Sequence, residues 1–288
     1  MNSDFDEIKI NSKQLNYEEI AAKCLMTKDK LIISEPVLLE IMDGLNNTPL
    51  FTESNISVIK GHSGVRKTTL ISILIGSLLK KGMTYNKLRS YYKDVRPVIV
   101  IDTEQGDWHA QRTYKSILGG LDNDNFYYYT ISALKSKERA KFVEYIAMKL
   151  NPCMIVIDGI RDLILNFNDI GESQELIDLI LNIKSKHNCH IVNIIHLNKS
   201  DGNSKGHLGA FLQEKSETVM NVCFTDTPGY SNVICEKKRG YAPFKDFEIT
   251  NMRGYGEIFT KTSHIENKQQ RNNDGFWNNT EKEEDAPY

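Results

Sequence analysis

The chain has 288 residues, 40% of them hydrophobic and 26% charged, with a formal charge of −2. That length suffices for one large α/β domain with a substantial core, and no apolar run approaches the roughly 20 residues of a membrane span, so no membrane association is expected. The balance of charge argues against a surface coated in basic residues for duplex DNA, while local basic loops remain open because binding follows charge distribution.

The opening Met1-Asn2-Ser3-Asp4 lacks the basic segment and apolar core of a secretory signal, so a cytoplasmic location is expected. Cys24, Cys153, Cys189, Cys223 and Cys235 are scattered without CxxC spacing, and four lie in or beside apolar runs, which favours buried reduced thiols. Residues 1–50 read as a lead-in. Within it, Lys30 to Gly44 reads as a short strand, a break at Pro36 and a short helix.

From Asn55 onward, apolar runs alternate with helical patterns: NISVIKG, KTTLISILIGSLLKKG, RPVIVIDTE, DWHAQRTYKSIL, NFYYYTI, SKERAKFVEYIAMKL, CMIVIDGI, SQELIDLILNIKSKH and HIVNIIHLN. Strict alternation, with near-continuous Val and Ile in the strands, predicts an α/β fold whose mostly parallel sheet is covered by helices on both faces. Beyond Thr218 the runs TVMNVCFTDT, NVICEKK, FKDFEIT and GEIFT, separated by Pro228-Gly229 and Arg253-Gly254, predict antiparallel hairpins extending that sheet. The expected domain covers residues 51–264, and the Asn-, Gln-, Glu- and Lys-rich stretch 265–288 reads as a disordered tail.

Between the first strand and the first long helix stands Gly61-His62-Ser63-Gly64-Val65-Arg66-Lys67-Thr68, followed by Thr69. This is the context of a phosphate-binding loop: backbone N–H groups and the helix N-terminus take the phosphates, Lys67 reaches the β and γ positions of ATP, and the Thr68 hydroxyl ligates Mg²⁺. The usual GxxxxGK pattern has glycine where Arg66 stands. Two readings follow: a side chain that crowds or distorts the loop, or a right-handed backbone that accepts Cβ and sends the guanidinium to solvent or to a neighbouring chain.

Asp158 ends the apolar strand CMIVID, the arrangement in which a carboxylate holds the Mg²⁺ shell opposite the loop. Glu104 follows VIVIDT, where it either orients or deprotonates an attacking water or is a solvated strand end. His196 ends HIVNIIH, suited to sensing a γ-phosphate or simply to the core. The loop Lys199 to His207, with Lys199, Lys205, His207 and two glycines, suits contact with nucleic acid phosphates, or else is a solvated loop.

Taken in order, GHSGVRKTT, IDTEQ, MIVIDGI, NIIHLNKS and EKKRGYAPF resemble the RecA-like ATPases, in particular the branch of hexameric RepA-type plasmid helicases and DnaB-like replicative helicases, over about two-thirds of the chain from Asn55 to Phe247. The resemblance implies that Glu104 activates water. It further implies that Lys237 and Arg239 of the late hairpin reach ATP held by a neighbouring subunit, that the chain forms a ring, and that the loop after His196 faces single-stranded DNA. No primase-associated or zinc-binding segment accompanies the motifs, so replication or mobilization proteins are the expected partners, in the setting of a mobile element. A KaiC-like or recombinase-like ATPase that does not unwind, and a nucleotide-binding regulatory module with slow hydrolysis, are the rival readings.

Overall fold

The computed structural model describes residues 16–27, 36–43, 46–80, 84–85, 87–93, 95–197, 206–251 and 257–259. The chain divides into two compact units, residues 1–34 and 35–288. The described part of the first holds one helix, α1 (Tyr17–Cys24), capped by the Asn16 side chain, which accepts the Glu19 N–H at 3.3 Å. Glu18 and Glu19 lie in its first turn, the positive end of the helix dipole, while Tyr17 and Ile20 are exposed.

The second unit opens with a four-stranded antiparallel sheet of β1 (Val37–Asp43), β2 (Asn46–Thr52), β4 (Thr84–Tyr85) and β5 (Leu88–Ser90), in the order β2-β1-β5-β4. Here the expected helix after Pro36 is a strand instead. Leu38, Leu39 and Ile41 are buried where β1 pairs with β2 on one side and β5 on the other, and those pairings override the local preference of LLEIM. Pro49 is accommodated because β2 is an edge strand. The expected strand before Pro36 and the Arg253-Gly254 turn lie outside the described residues, as do 265–288.

The larger sheet has nine strands among the described residues. Six are parallel: β3 (Ile56–Gly61), β6 (Val98–Asp102), β7 (Phe126–Thr130), β8 (Met154–Asp158), β9 (His190–His196) and β10 (Thr218–Phe224). Three more, β11 (Tyr230–Lys238), β12 (Phe247–Thr250) and β13 (Glu257–Phe259), add on antiparallel, giving the order β13-β12-β11-β10-β3-β9-β8-β6-β7. The expected mostly parallel sheet with antiparallel C-terminal hairpins is therefore present.

Helices α2 (Lys67–Leu78) and α3 (Asp107–Leu118) and the small sheet cover one face, and α4 (Ser136–Leu150), α5 (Ile170–His187) and α6 (Gly206–Lys215) cover the other. Side chains alternate across a strand, so Val98 and Val100 pack with Leu70 and Leu74 of α2, while Ile99 and Ile101 pack with Val143 of α4 and Ile180 of α5. Both faces being dry, the strands read as unbroken apolar runs, and each buried Val or Ile contributes about 1.5–3 kcal/mol. Helix α6 was not expected: Gly206 and Gly209 lower its helix propensity, and it forms because Leu208 and Leu212 are buried beneath it.

Candidate functional site

In parallel strands the register aligns the carboxyl ends. Gly61 of β3 lies opposite His196 of β9, and Asp102 of β6 lies opposite Asp158 of β8. The loop from Gly61 to Lys67 therefore rises at the same edge as the candidate acidic and imidazole side chains. Gly61 admits no side chain, since a Cβ there would lie 2.4 Å from the Val222 carbonyl oxygen. Helix α2 then begins without a side-chain cap and with no acidic residue in its first turn, leaving its positive end toward the loop.

Arg66 does not have the right-handed backbone that one reading of the sequence expected. Its backbone is left-handed, at φ 66° and ψ 33°, a conformation that costs an L-residue about 1–2 kcal/mol. Its guanidinium points neither to solvent nor outward: Nη1 donates to the Tyr230 carbonyl at 3.3 Å and to Ser231 Oγ at 3.2 Å, both on β11.

Lys67 is buried, and its ammonium donates to the carbonyls of Gly61 (3.0 Å) and His62 (2.8 Å). Burial pulls its pKa down to about 8, against the pull of Asp158 and Glu104. Its third contact is His196 Nδ1 at 3.1 Å, while His196 Nε2 meets Glu104 Oε1 at 3.0 Å. An ammonium has no lone pair, so Nδ1 accepts from it, and the ring proton sits on Nε2 and is donated to Glu104. Lys67, His196 and Glu104 thus form one directed hydrogen-bonded row. The His196 bond is the main cause of a lowered Glu104 pKa.

The backbone around Glu104 is fixed by Asp102, whose Oδ1 accepts the N–H groups of Glu104 and Gln105, each at 2.9 Å, and whose Oδ2 accepts the Tyr128 hydroxyl at 2.8 Å. Thr103 ties the two strand ends together: its N–H and Oγ1 both donate to the Asp158 carbonyl, at 3.1 and 2.9 Å. Gly159 must be glycine there, being at φ 95° with room for a Cβ only 2.1 Å from Thr103 Oγ1. Asp158 itself is buried, and burial together with Asp102 and Glu104 pushes its carboxyl up to about 7.

A cleft of about 650 Å³ opens beside the loop between α2 and α3. Thr68, Thr69, Gln105, Trp108, Arg112 and Asn251 line it, and Trp108 is exposed. Asp102, Thr103 and Tyr128 escaped the sequence reading because they act on the site through backbone and carboxylate contacts. Trp108 and Arg112 escaped it because a helix-face position next to a cleft has no sequence signature.

The structure thus brings the loop, Thr68, Thr69, Glu104, Asp158 and His196 together. It does not bring Lys237 or Arg239 to them. Lys237 pairs with Val219, and the Arg239 N–H donates to Glu217, whose own N–H donates to Ile56 at the opening of β3, about 17 Å from Gly61 at the usual rise per residue. There Lys237 Nζ donates to the carbonyls of Gln213 and Glu214, and Arg239 to that of Glu214, closing the last turn of α6. Lys199 and Lys205 lie outside the described residues. His207, read as part of a loop, stands instead in the first turn of α6, exposed and 6.4 Å from the Phe211 ring. Among the described residues no helix is long and apolar enough to cross a membrane. No protein-family model matches the chain, and comparison with curated proteins finds no similar one.

Proposed function

We propose that this chain is a RecA-like P-loop ATPase that assembles as a ring and acts on single-stranded DNA, as a replicative or mobilization helicase of a mobile element. The observation that carries the reading is the row Lys67, His196 and Glu104 at the mouth of the Gly61 to Lys67 loop, with Asp158 beside it. A lysine, an imidazole, a carboxylate base and a buried second carboxylate converge on one uncapped helix N-terminus, the set that phosphoryl transfer to water asks for.

The donor set fits a small hard cation. Among the described residues there is no group of three or more His, Cys, Asp or Glu able to hold a metal unaided, and Mg²⁺ held with phosphates needs only one or two protein oxygens, here Thr68 and Asp158. Burial first, then Asp102 and Glu104, raise the Asp158 carboxyl to about 7, so a cation bound there would favour its ionised form. When bound, the ion offsets the charge of the β and γ phosphates.

The protein's own residues do the rest. Lys67 leaves its loop carbonyls for the phosphates, and in doing so gives up His196 Nδ1. His196, released on that side, reports the γ-phosphate to the segment that follows it. Glu104 orients the attacking water and takes its proton. Glu104 is also the reason a slow-turnover regulatory module is the second reading: its carboxylate is engaged by His196, which holds its pKa low and makes it a weak base in this arrangement. ATP affinity and turnover, with and without single-stranded DNA, measured on the wild type and on Lys67→Ala, test the proposal. Lys67 is expected to supply charge to the phosphates, so the variant is expected to lose ATP binding, and its melting midpoint, read alongside, separates that loss from a loosening of the loop whose Gly61 and His62 carbonyls it holds. Unchanged nucleotide affinity in that variant rejects the phosphate site, and turnover indifferent to DNA favours the regulatory reading.

A further inference from the structure

Arg66 sits where side-chain identity and backbone shape are at odds. A left-handed backbone suits glycine, and an arginine there relaxes to negative φ unless something holds it. Relaxation turns the peptide between residues 66 and 67, carrying the Lys67 N–H and the Lys67 side chain away from the loop interior. What opposes it is the pair of hydrogen bonds from Nη1 to the Tyr230 carbonyl and Ser231 Oγ, on a strand whose Tyr230 and Ser231 are buried. The same hairpin meets the loop twice more. The Val222 carbonyl lies against Gly61, and the Phe224 ring lies 3.9 Å from where a Cβ on Gly64 would stand. The wall of the loop and the anchor of Arg66 are therefore one element, β10 to β11.

We propose that Arg66 is a positioning residue. Its guanidinium, anchored on Tyr230 and Ser231, holds the left-handed loop backbone that nucleotide phosphates require, a task that glycine at this position performs by having no preference to overcome. The inference rests on the nucleotide-binding reading above. It sets an order among side chains at position 66. Glycine has neither strain nor need of an anchor. Arginine has strain and an anchor. Alanine has the strain alone. A side chain that merely crowded the loop would give a different order, with glycine best and alanine better than arginine.

The test is a fluorescence titration of the full chain with an N-methylanthraniloyl ATP analogue and Mg²⁺, on wild type, Arg66→Gly, Arg66→Ala, Ser231→Ala and the double variant Arg66→Gly with Ser231→Ala. Melting midpoints without nucleotide are read alongside. If the competent loop falls to about a tenth of the population in Arg66→Ala, its affinity falls about tenfold, while Arg66→Gly stays within about twofold of wild type. Ser231→Ala weakens binding when Arg66 is present and has no effect when Gly stands at 66. That dependence separates positioning from a general loss of stability, which would act in both backgrounds. Equal affinity across the series overturns the inference, as does an equal cost of Ser231→Ala in both backgrounds. A wild type that does not bind the analogue overturns the nucleotide reading and this inference with it.

Discussion

Glu104 shows how one residue's role is set by its neighbours. Asp102 fixes its backbone, and His196 donates to its carboxylate. Replacing it by Gln keeps an oxygen that accepts from His196 Nε2 and removes only the basicity, so the site geometry survives. Glu104→Gln is therefore expected to bind ATP like wild type and to lose turnover by about 10²-fold or more, the scale of a general base. Steady-state ATPase assays beside an affinity measurement check this, and equal turnover in the two proteins would reduce Glu104 to a structural side chain. Glu104, Asp158 and His196 were legible in the sequence because each ends or follows an apolar run and parallel register brings such ends together, and Lys67 was legible because it closes a glycine-containing loop between a strand and a helix. The left-handed backbone of Arg66 was not legible, since it depends on acceptors on Tyr230 and Ser231 that meet it only in the fold.

Between elements, the informative group is His190, the first residue of β9. It is fully buried, with Nδ1 donating to the Thr52 carbonyl at the end of β2 and Nε2 accepting from Ser57 Oγ on β3. Beside it the Glu217 carboxylate accepts the Thr52 N–H and hydroxyl, so this polar knot joins the small sheet to the large one. Burial pushes the His190 pKa down to about 3. A depressed histidine means that the unfolded chain takes up a proton the folded one refuses. Its contribution is complete above about pH 6.5 and is lost as the pH falls from there toward 3, at up to about 1.4 kcal/mol per pH unit. Urea unfolding at a series of pH values should show this slope in wild type. His190→Asn, which retains a donor toward Thr52, should be less stable at pH 7.5 but flatter between pH 6 and 4, and parallel curves for the two proteins would reject the assignment. The elements of the large sheet were legible because near-continuous Val and Ile runs alternate with helical patterns. The small sheet was not, since LLEIM carries no period that separates strand from helix, and the two- and three-residue strands β4 and β5 are shorter than any pattern.

At the scale of the whole molecule, Lys237 and Arg239 lie at the far end of the sheet from their own chain's loop, closing α6. In the ring proposed above, the phosphate they would contact is one held by another copy. Trans arginines of this kind are worth about 10³ to 10⁵ in rate, so activity per subunit is expected to rise with protein concentration. Mixing Arg239→Ala chains with Lys67→Ala chains is expected to recover activity that neither has alone, because some interfaces in a mixed ring pair an intact loop with an intact Arg239. A mixture that forms joint oligomers, shown by size-exclusion chromatography and crosslinking, yet stays inactive would confine both side chains to the α6 contact seen here.

The strand that leads into the Gly61 to Lys67 loop also has a history in time. On one side Ile56 of β3 pairs with Ile191, and on the other Ser57 pairs with Thr218, so these neighbours exist only once about two-thirds and three-quarters of the 288 residues have been made. Such distant pairings are slow to form, and meanwhile runs such as VIVI and MIVI stay uncovered and prone to stick to their own kind. Synthesis from the N-terminus therefore delivers the loop early and its support late: a chain still emerging from the ribosome has no wall for the loop and no acceptor for Arg66 until β10 and β11 arrive.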